Sequence, residues 1–399
     1  MLGGTPETND RFGTSLASGD FNNDGADDLA VGVPYEDPGI DSATTNSGIA
    51  TIVYGSSTDG LTTAGYTSFD DSTAGAGAVE GYDHFGWSLA TGDVTGDGID
   101  DLALTVHNEK IGSVDPDVAR GAVVLLNGSA SGLTAGSTAT VASIQTQGKM
   151  NSIAVGNFRG GANADVVINA GHAAGTPTDS GALAVLTGAS DGISPSRVTV
   201  ISQDTTTPDV AGDNDAATDD FFGLSLATGD LNGDGLDDLA AGAHGDTTGR
   251  GAVSIFYGTS AGIFTNADRF ITESTGPING DPVDDEHFGH GVRILDTDGD
   301  GDAELTVTAP KEDGTYQTAA AWTLKISGSG PGATITRATR ADRDTLFDQS
   351  CTADPTTSCF GPGFPIAGAV TGPVELPETG PYLTKPKFTP YLEGFPADE

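Results

Sequence analysis

The stretch GDFNNDGADDLAVGVP, residues 19–34, sets acidic and amide side chains around a glycine and then runs straight into an apolar segment. Close variants return as GDVTGDGIDDLALTV at 92–106, GDLNGDGLDDLAAGA at 229–243 and LDTDGDGDAELTVTAP at 295–310. Counted from Asp20, oxygen-bearing side chains stand at positions 1, 3 and 5 (Asp20, Asn22, Asp24), followed by Gly25 at position 6. Ala26 offers its carbonyl at position 7, and Asp28 closes the set at position 9. Alternate residues around a tight turn converge on one point. Carboxylates gathered there repel one another unless a cation sits among them. Ca²⁺ suits the donors: it is a hard ion taking six to eight oxygens at about 2.3–2.6 Å, whereas Mg²⁺ demands stricter octahedral geometry.

The other loops supply the same donors. The second gives Asp93, Thr95, Asp97, the Ile99 carbonyl and Asp101. The fourth gives Asp230, Asn232, Asp234, the Leu236 carbonyl and Asp238, and the fifth Asp296, Asp298, Asp300, the Asp302 carbonyl and Glu304. Solvated Asp-Gly turns would not need an acid at position 9 every time. An EF-hand would need a bidentate Glu at position 12 between two helices. Position 12 holds Val31, Leu104, Ala241 and Val307, each inside a predicted strand, so that reading fails.

The phrases recur with a long period. The first loop positions are Asp20, Asp93, Asn157, Asp230 and Asp296, separated by 73, 64, 73 and 66 residues. That length suits one four-stranded propeller blade. Four units open on an aromatic–glycine pair: Phe12-Gly13, Phe85-Gly86, Phe222-Gly223 and Phe288-Gly289. A short strand, the acidic loop, a second strand and a Gly/Pro/acid turn follow. The third strands are GIATIVYG (48–55), GAVVLLNG (121–128), GALAVLTG (181–188), GAVSIFYG (251–258) and AAAWTLKI (319–326). More polar fourth strands include TVASIQTQ (140–147), RVTVISQD (197–204) and ATITRATR (333–340). β-branched residues and period-two alternation favour strands throughout.

The third unit, MNSIAVGNFRGGANADVVINAG (150–171), lacks the aromatic–glycine pair and most of the loop acids. It is expected to be a blade without an ion. The expected fold is therefore all-β: a propeller of four-stranded antiparallel blades over 1–340, with five blades at about 10–75, 83–147, 148–204, 219–275 and 285–340. A proline-rich, irregular tail covers 341–399, because proline lacks the ladder donor and fixes φ. It could wrap the propeller, link to another domain or reach a neighbouring subunit, and its aromatics argue against a free disordered tail.

The Phe-Gly pairs, the D-x-[DN]-x-D-G-x-x-D loops and the approximate Gly-Ala-Pro turns (VGVP, AGAH, TAP) resemble the FG-GAP repeats of the integrin α-subunit β-propeller. The resemblance implies calcium bound structurally in loops between the first two strands of a blade. It also implies adhesion or recognition at a cell or virion surface. Integrin α chains have seven blades and five are legible here, so the ring either closes with five or takes blades from outside this chain.

Composition narrows the partners. With 57 acidic against 16 basic residues, a net charge of −41 repels nucleic acid and anionic membranes. The acid excess suits a calcium-rich extracellular setting or a high-salt organism. Gly is 59 of 399 residues, about twice the usual share, which signals many tight turns. Cys351 and Cys359 are either bridged or two unrelated thiols. The polar start, MLGGTPETNDRFG, reads as no secretory leader, and no run of eighteen apolar residues exists. No nucleophile, zinc or P-loop motif appears. The leading expectation is a calcium-stabilised extracellular or surface binding, adhesion or assembly module for a protein or glycan ligand. The tail would serve oligomerisation. The alternative is a carbohydrate-active hydrolase or lyase using propeller-face carboxylates. His84 and His287, just before Phe-Gly pairs, read as packing residues.

Overall fold

The computed structural model describes residues 7–342 apart from 8, 39–44, 64, 110–120, 141–145, 174–175, 204–215, 264–268, 279, 281, 312–318 and 329–333. The first two residues of the expected tail, Ala341 and Asp342, close the last strand; the rest of it and both cysteines lie outside the described residues.

Among the described residues, twenty strands form five four-stranded antiparallel sheets. Sheet 1 is β1 (Ser15–Gly19), β2 (Asp28–Val33), β3 (Ile49–Val53) and β4 (Thr67–Phe69). Sheet 2 is β5 (Phe85–Gly92), β6 (Asp101–Val106), β7 (Ala122–Asn127) and β8 (Thr134–Thr140). Sheet 3 is β9 (Thr146–Gly156), β10 (Asp165–Ala173), β11 (Ala182–Leu186) and β12 (Val198–Ile201). Sheet 4 is β13 (Ser225–Gly229), β14 (Asp238–Ala243), β15 (Ala252–Phe256) and β16 (Arg269–Ile271). Sheet 5 is β17 (Gly291–Leu295), β18 (Glu304–Ala309), β19 (Ala320–Ser327) and β20 (Thr334–Asp342). Within each sheet neighbours in sequence are neighbours in space, which is the blade order of a β-propeller.

One assignment shifts. TVASIQTQ is not the fourth strand of the second unit; β8 lies earlier, and Thr146–Gln147 already begin β9, opposite His172 and Ala173. Alternation alone could not separate two strands joined by so short a connection.

The sheets pack in chain order through their first strands: β5 against β1 and β2, β9 against β5 and β6, β13 against β9, and β17 against β13 and β14. A backbone device repeats at three of these junctions. The glycine opening a third strand bridges the Phe of the next unit: Gly48 with Phe85, Gly181 with Phe222, Gly251 with Phe288. All three glycines have φ near +82°, and a Cβ there would sit 2.0–2.5 Å from the Phe carbonyl oxygen. Only glycine fits. In the third unit, which lacks Phe-Gly, the buried Met150 lies against Gly121 instead.

Burial follows this stacking. β15, covered on both faces, is buried throughout, whereas β19 alternates buried with partly exposed positions. Phe85, Phe222 and Phe288 are 0% exposed, but Phe12 is 55% exposed and Leu16 60%. Each such side chain forgoes part of the roughly 1.5–3 kcal/mol that full burial contributes.

Candidate metal centre

The acidic loops connect the first and second strands of their sheets, at one end of each blade. Position 9 is the buried anchor. Asp28 Oδ2 accepts from the Phe21 amide at 3.1 Å and Oδ1 from the Gly55 amide at 2.8 Å. Asp101 repeats this with Thr95 and Gly128, both at 2.8 Å. Asp238 does so with Leu231 at 3.0 Å and Gly258 at 2.9 Å. One carboxylate thereby ties the loop to the end of the third strand. Burial raises the pKa values of Asp28 and Asp101 and pushes Asp238 up to about 7, against the pull of those amide bonds. Neighbouring loop acids push the same way.

Positions 1, 3 and 5 fold around the turn. Asp20 Oδ2 accepts from the Gly25 amide at 2.9 Å, and Asn22 Oδ1 from the Asp24 amide at 2.9 Å. Asp93 accepts from the Asp97 and Gly98 amides at 3.0 and 2.8 Å. Asp230 accepts from the Asp234 and Gly235 amides at 3.1 and 2.8 Å. In the fifth loop, oxygens of Asp296, Asp298 and Asp300 lie within 4.8 Å of one another. Gly25, Gly98, Gly235 and Gly301 take the positive φ that the turn needs. The side chains of Ala26, Ile99, Leu236 and Asp302 stand at position 7, where the backbone carbonyl is the expected donor. The donor set is all oxygen, which fits Ca²⁺ and not a thiolate- or imidazole-seeking metal.

Two loops carry cations of their own. In the third, Arg159 stands at position 3 and grips the buried Asp165 at position 9. Its Nε donates to Oδ2 at 3.0 Å and its Nη2 to Oδ1 at 2.6 Å. The same guanidinium reaches the Gly188 carbonyl at 3.3 Å, and the Gly188 amide donates to Asp165 at 3.0 Å. Arg159 thus supplies a positive charge where the other loops present further oxygens. In the fifth, the Lys325 ammonium contacts Asp300 and lies 3.5 Å from Asp302 and 3.7 Å from Glu304, while Arg337 meets Asp298 at 3.1 Å. The hydrogen bond from Lys325 lowers the Asp300 pKa.

Reading the sequence missed position 8. Asp100 accepts the Asp20 amide of the previous sheet at 3.0 Å, and Asp237 accepts the Asn157 amide at 2.7 Å. The Asp-Asp doublet was the available signal: one acid faces its own loop, the other the neighbouring blade. Asp27, at the same position of the first loop, is exposed.

The histidines gather at the opposite end of the sheets, stacked with aromatic rings. Trp87 lies parallel to His107 with centroids 4.2 Å apart, and Phe221 stacks on His244 at 5.0 Å. His244 also meets His287 and His290, each at 5.2 Å between ring centroids.

The family model for the FG-GAP repeat matches residues 12–53, 85–126 and 222–256. The chain is 35% identical over 140 residues to integrin alpha-PS5 of Drosophila melanogaster, covering 34% of this chain and 13% of that one. It is 38% identical over 91 residues to integrin alpha-7 of Rattus norvegicus, covering 22% and 7%. The chain therefore spans a small part of either relative. Among solved structures, rhamnogalacturonan lyase YesW aligns with a TM-score of 0.38 at 14% identity, over 79% of this chain and 57% of that one. The exotype lyase YesX gives 0.38 at 12%, over 80% and 54%. Those scores are too low to bear on activity. The matched repeats coincide with sheets 1, 2 and 4, where Phe-Gly pairs and acidic loops stand together, and in those three sheets the chain carries FG-GAP repeats similar to those of integrin α chains.

Proposed function

We propose that the chain is a calcium-stabilised propeller module that binds a protein or glycan partner at a cell or virion surface. The observation that supports it is the exchange of chemistry between loops: among the described residues no Lys or Arg pairs with the acids of the first, second and fourth loops, each built around a buried position-9 carboxylate, whereas in the third, where the other acids are missing, Arg159 takes the charge. Asp20, Asn22, Asp24, Asp28 and the Ala26 carbonyl would hold one ion, with the corresponding residues of the second and fourth loops holding two more. The fifth loop would bind more weakly, because Ca²⁺ must displace Lys325. Each ion would neutralise buried charge and pin the first two strands. The partner would meet the opposite, aromatic end, where Tyr35, His84 and Trp87 cluster and Arg11 lies 4.4 Å over the Tyr35 ring.

Thermal unfolding in millimolar calcium and in excess chelator tests the metal half of the proposal. We expect a lower Tm and faster proteolysis in chelator; identical Tm values would refute it. A glycan array and a pull-down, each with Trp87→Ala as the control, test the binding half. Retention of every captured partner by that variant would place the binding surface elsewhere.

A further inference from the structure

A second set of acids is buried away from the repeat loops, at the junction of sheets 1 and 2. Asp71 follows β4, Asp83 precedes Phe85-Gly86, and Glu109 lies in the turn after β6. Their exposures are 0%, 0% and 1%, and one oxygen of each lies within 4.8 Å of the others. Both carboxylate oxygens of Asp71 are enclosed and accept no hydrogen bond among the described residues. Asp83 is held in place through Oδ2, which accepts the Glu80 amide at 3.0 Å. A buried carboxylate with no donor facing it is costly unless a counter-charge or a proton compensates it.

The equivalent place between sheets 3 and 4 shows what satisfies this geometry. There Gln203 stands two residues past its fourth strand, as Asp71 does, and Asp220 stands two residues before Phe222, as Asp83 does. Asp246 lies three residues past β14, as Glu109 lies past β6. The Gln203 amide donates to Asp246 Oδ2 at 3.0 Å. At the first junction an aspartate replaces that glutamine, so the donor is gone and a third carboxylate takes its place. Burial, and then Glu109, Asp83, Asp70 and Glu80, push Asp71 up to about 9 in the absence of any cation.

We propose that Asp71, Asp83 and Glu109 bind a divalent cation between the first and second sheets, at a site separate from the FG-GAP loops. Three converging carboxylates give a hard-oxygen donor set suited to Ca²⁺. The ion would join the end of one blade to the turn of the next, whereas the loop ions act within a blade.

The test is calcium stoichiometry of the full chain by equilibrium dialysis, compared between wild type, Asp71→Gln and Asp234→Ala. Asp71→Gln installs the amide that Gln203 provides at the other junction. We expect it to lose one bound ion per chain while its Tm in chelator rises above that of wild type. Asp234→Ala reads the loops alone, so their failure to bind is distinguishable from failure of this site. Unchanged stoichiometry in Asp71→Gln, with a proton serving Asp71 instead, would overturn the proposal. Should Asp71→Gln fold poorly, Glu109→Gln gives the same reading, with loss of one ion expected and retention contradicting it.

Discussion

In the fourth loop the buried Asp238 has Asp230 and Asp234 around it; in the third, the equivalent Asp165 has Arg159 across it. Both carboxylates take the amide that opens the segment after the third strand, Gly258 in one case and Gly188 in the other. The fold thus demands the same buried anion in both blades. The source of the compensating charge differs: the third loop encodes it in the chain, and on the function proposed above the fourth would take it from solution. A repeat that loses its loop acids need not lose its blade, provided a cation arrives within the loop.

The largest effect expected from breaking this contrast is at the arginine. Arg159→Ala leaves Asp165 buried and unpaired, which costs about 3–5 kcal/mol. Denaturant unfolding should show that loss equally in calcium and in chelator, since Asn157 and Asp165 are too few to hold an ion. Rescue by calcium would mean that the third loop binds metal after all.

Next comes the acid side. A site filled at a hundred times its dissociation constant stabilises by about 2.7 kcal/mol. Such sites often bind at roughly 10⁻⁴–10⁻³ M, so about 5 mM calcium stabilises by about 1–2.3 kcal/mol. Asp234→Ala should lose about 1–3 kcal/mol in calcium and little in chelator. A loss of the same size in both media would make Asp234 a turn residue and nothing more.

Position 8 offers a smaller, internal comparison. Asp100→Ala removes the acceptor of the Asp20 amide across a blade junction and should cost about 1–3 kcal/mol. Asp27→Ala, at the exposed counterpart, should stay within about 0.5 kcal/mol. Equal costs would show that the doublet acts within its own loop and not between blades.

The smallest effect is at the other end of the sheets. Burial, then His290, His287 and Lys311, hold His244 down to about 3 from the usual 6.5. The folded state keeps it neutral while the unfolded chain takes up a proton. Its contribution is therefore present above pH 6.5 and lost as pH falls toward about 3. His244→Phe, stacked on Phe221, should reduce the acid slope of stability in that window, read as the difference between the two unfolding curves. Parallel curves would mean that His244 titrates normally.

Much of this was legible before any coordinates. Strand order, loop placement and the glycine at each turn follow from local rules, because period-two alternation and the Asp-Gly turn act over a few residues. The third unit could be read as lacking the repeated ligand set because its acids are absent. Its arginine could not be read as the replacement, since only the fold shows Arg159 turning back onto Asp165. The bond from Asp100 to Asp20 joins residues 80 positions apart, and Asp71, Asp83 and Glu109 meet only when two units stack. Phe12, identical in sequence to the Phe of other repeats, differs from them only in lacking a preceding blade among the described residues, and so stays exposed.

Hydrogen exchange resolved by peptide, with and without calcium, tests the central claim most directly. Segments 20–28, 93–101 and 230–238 should gain protection when calcium is added, while 157–165 should be equally protected in both conditions. Calcium-dependent protection of 157–165, or none in the other three, would contradict the account.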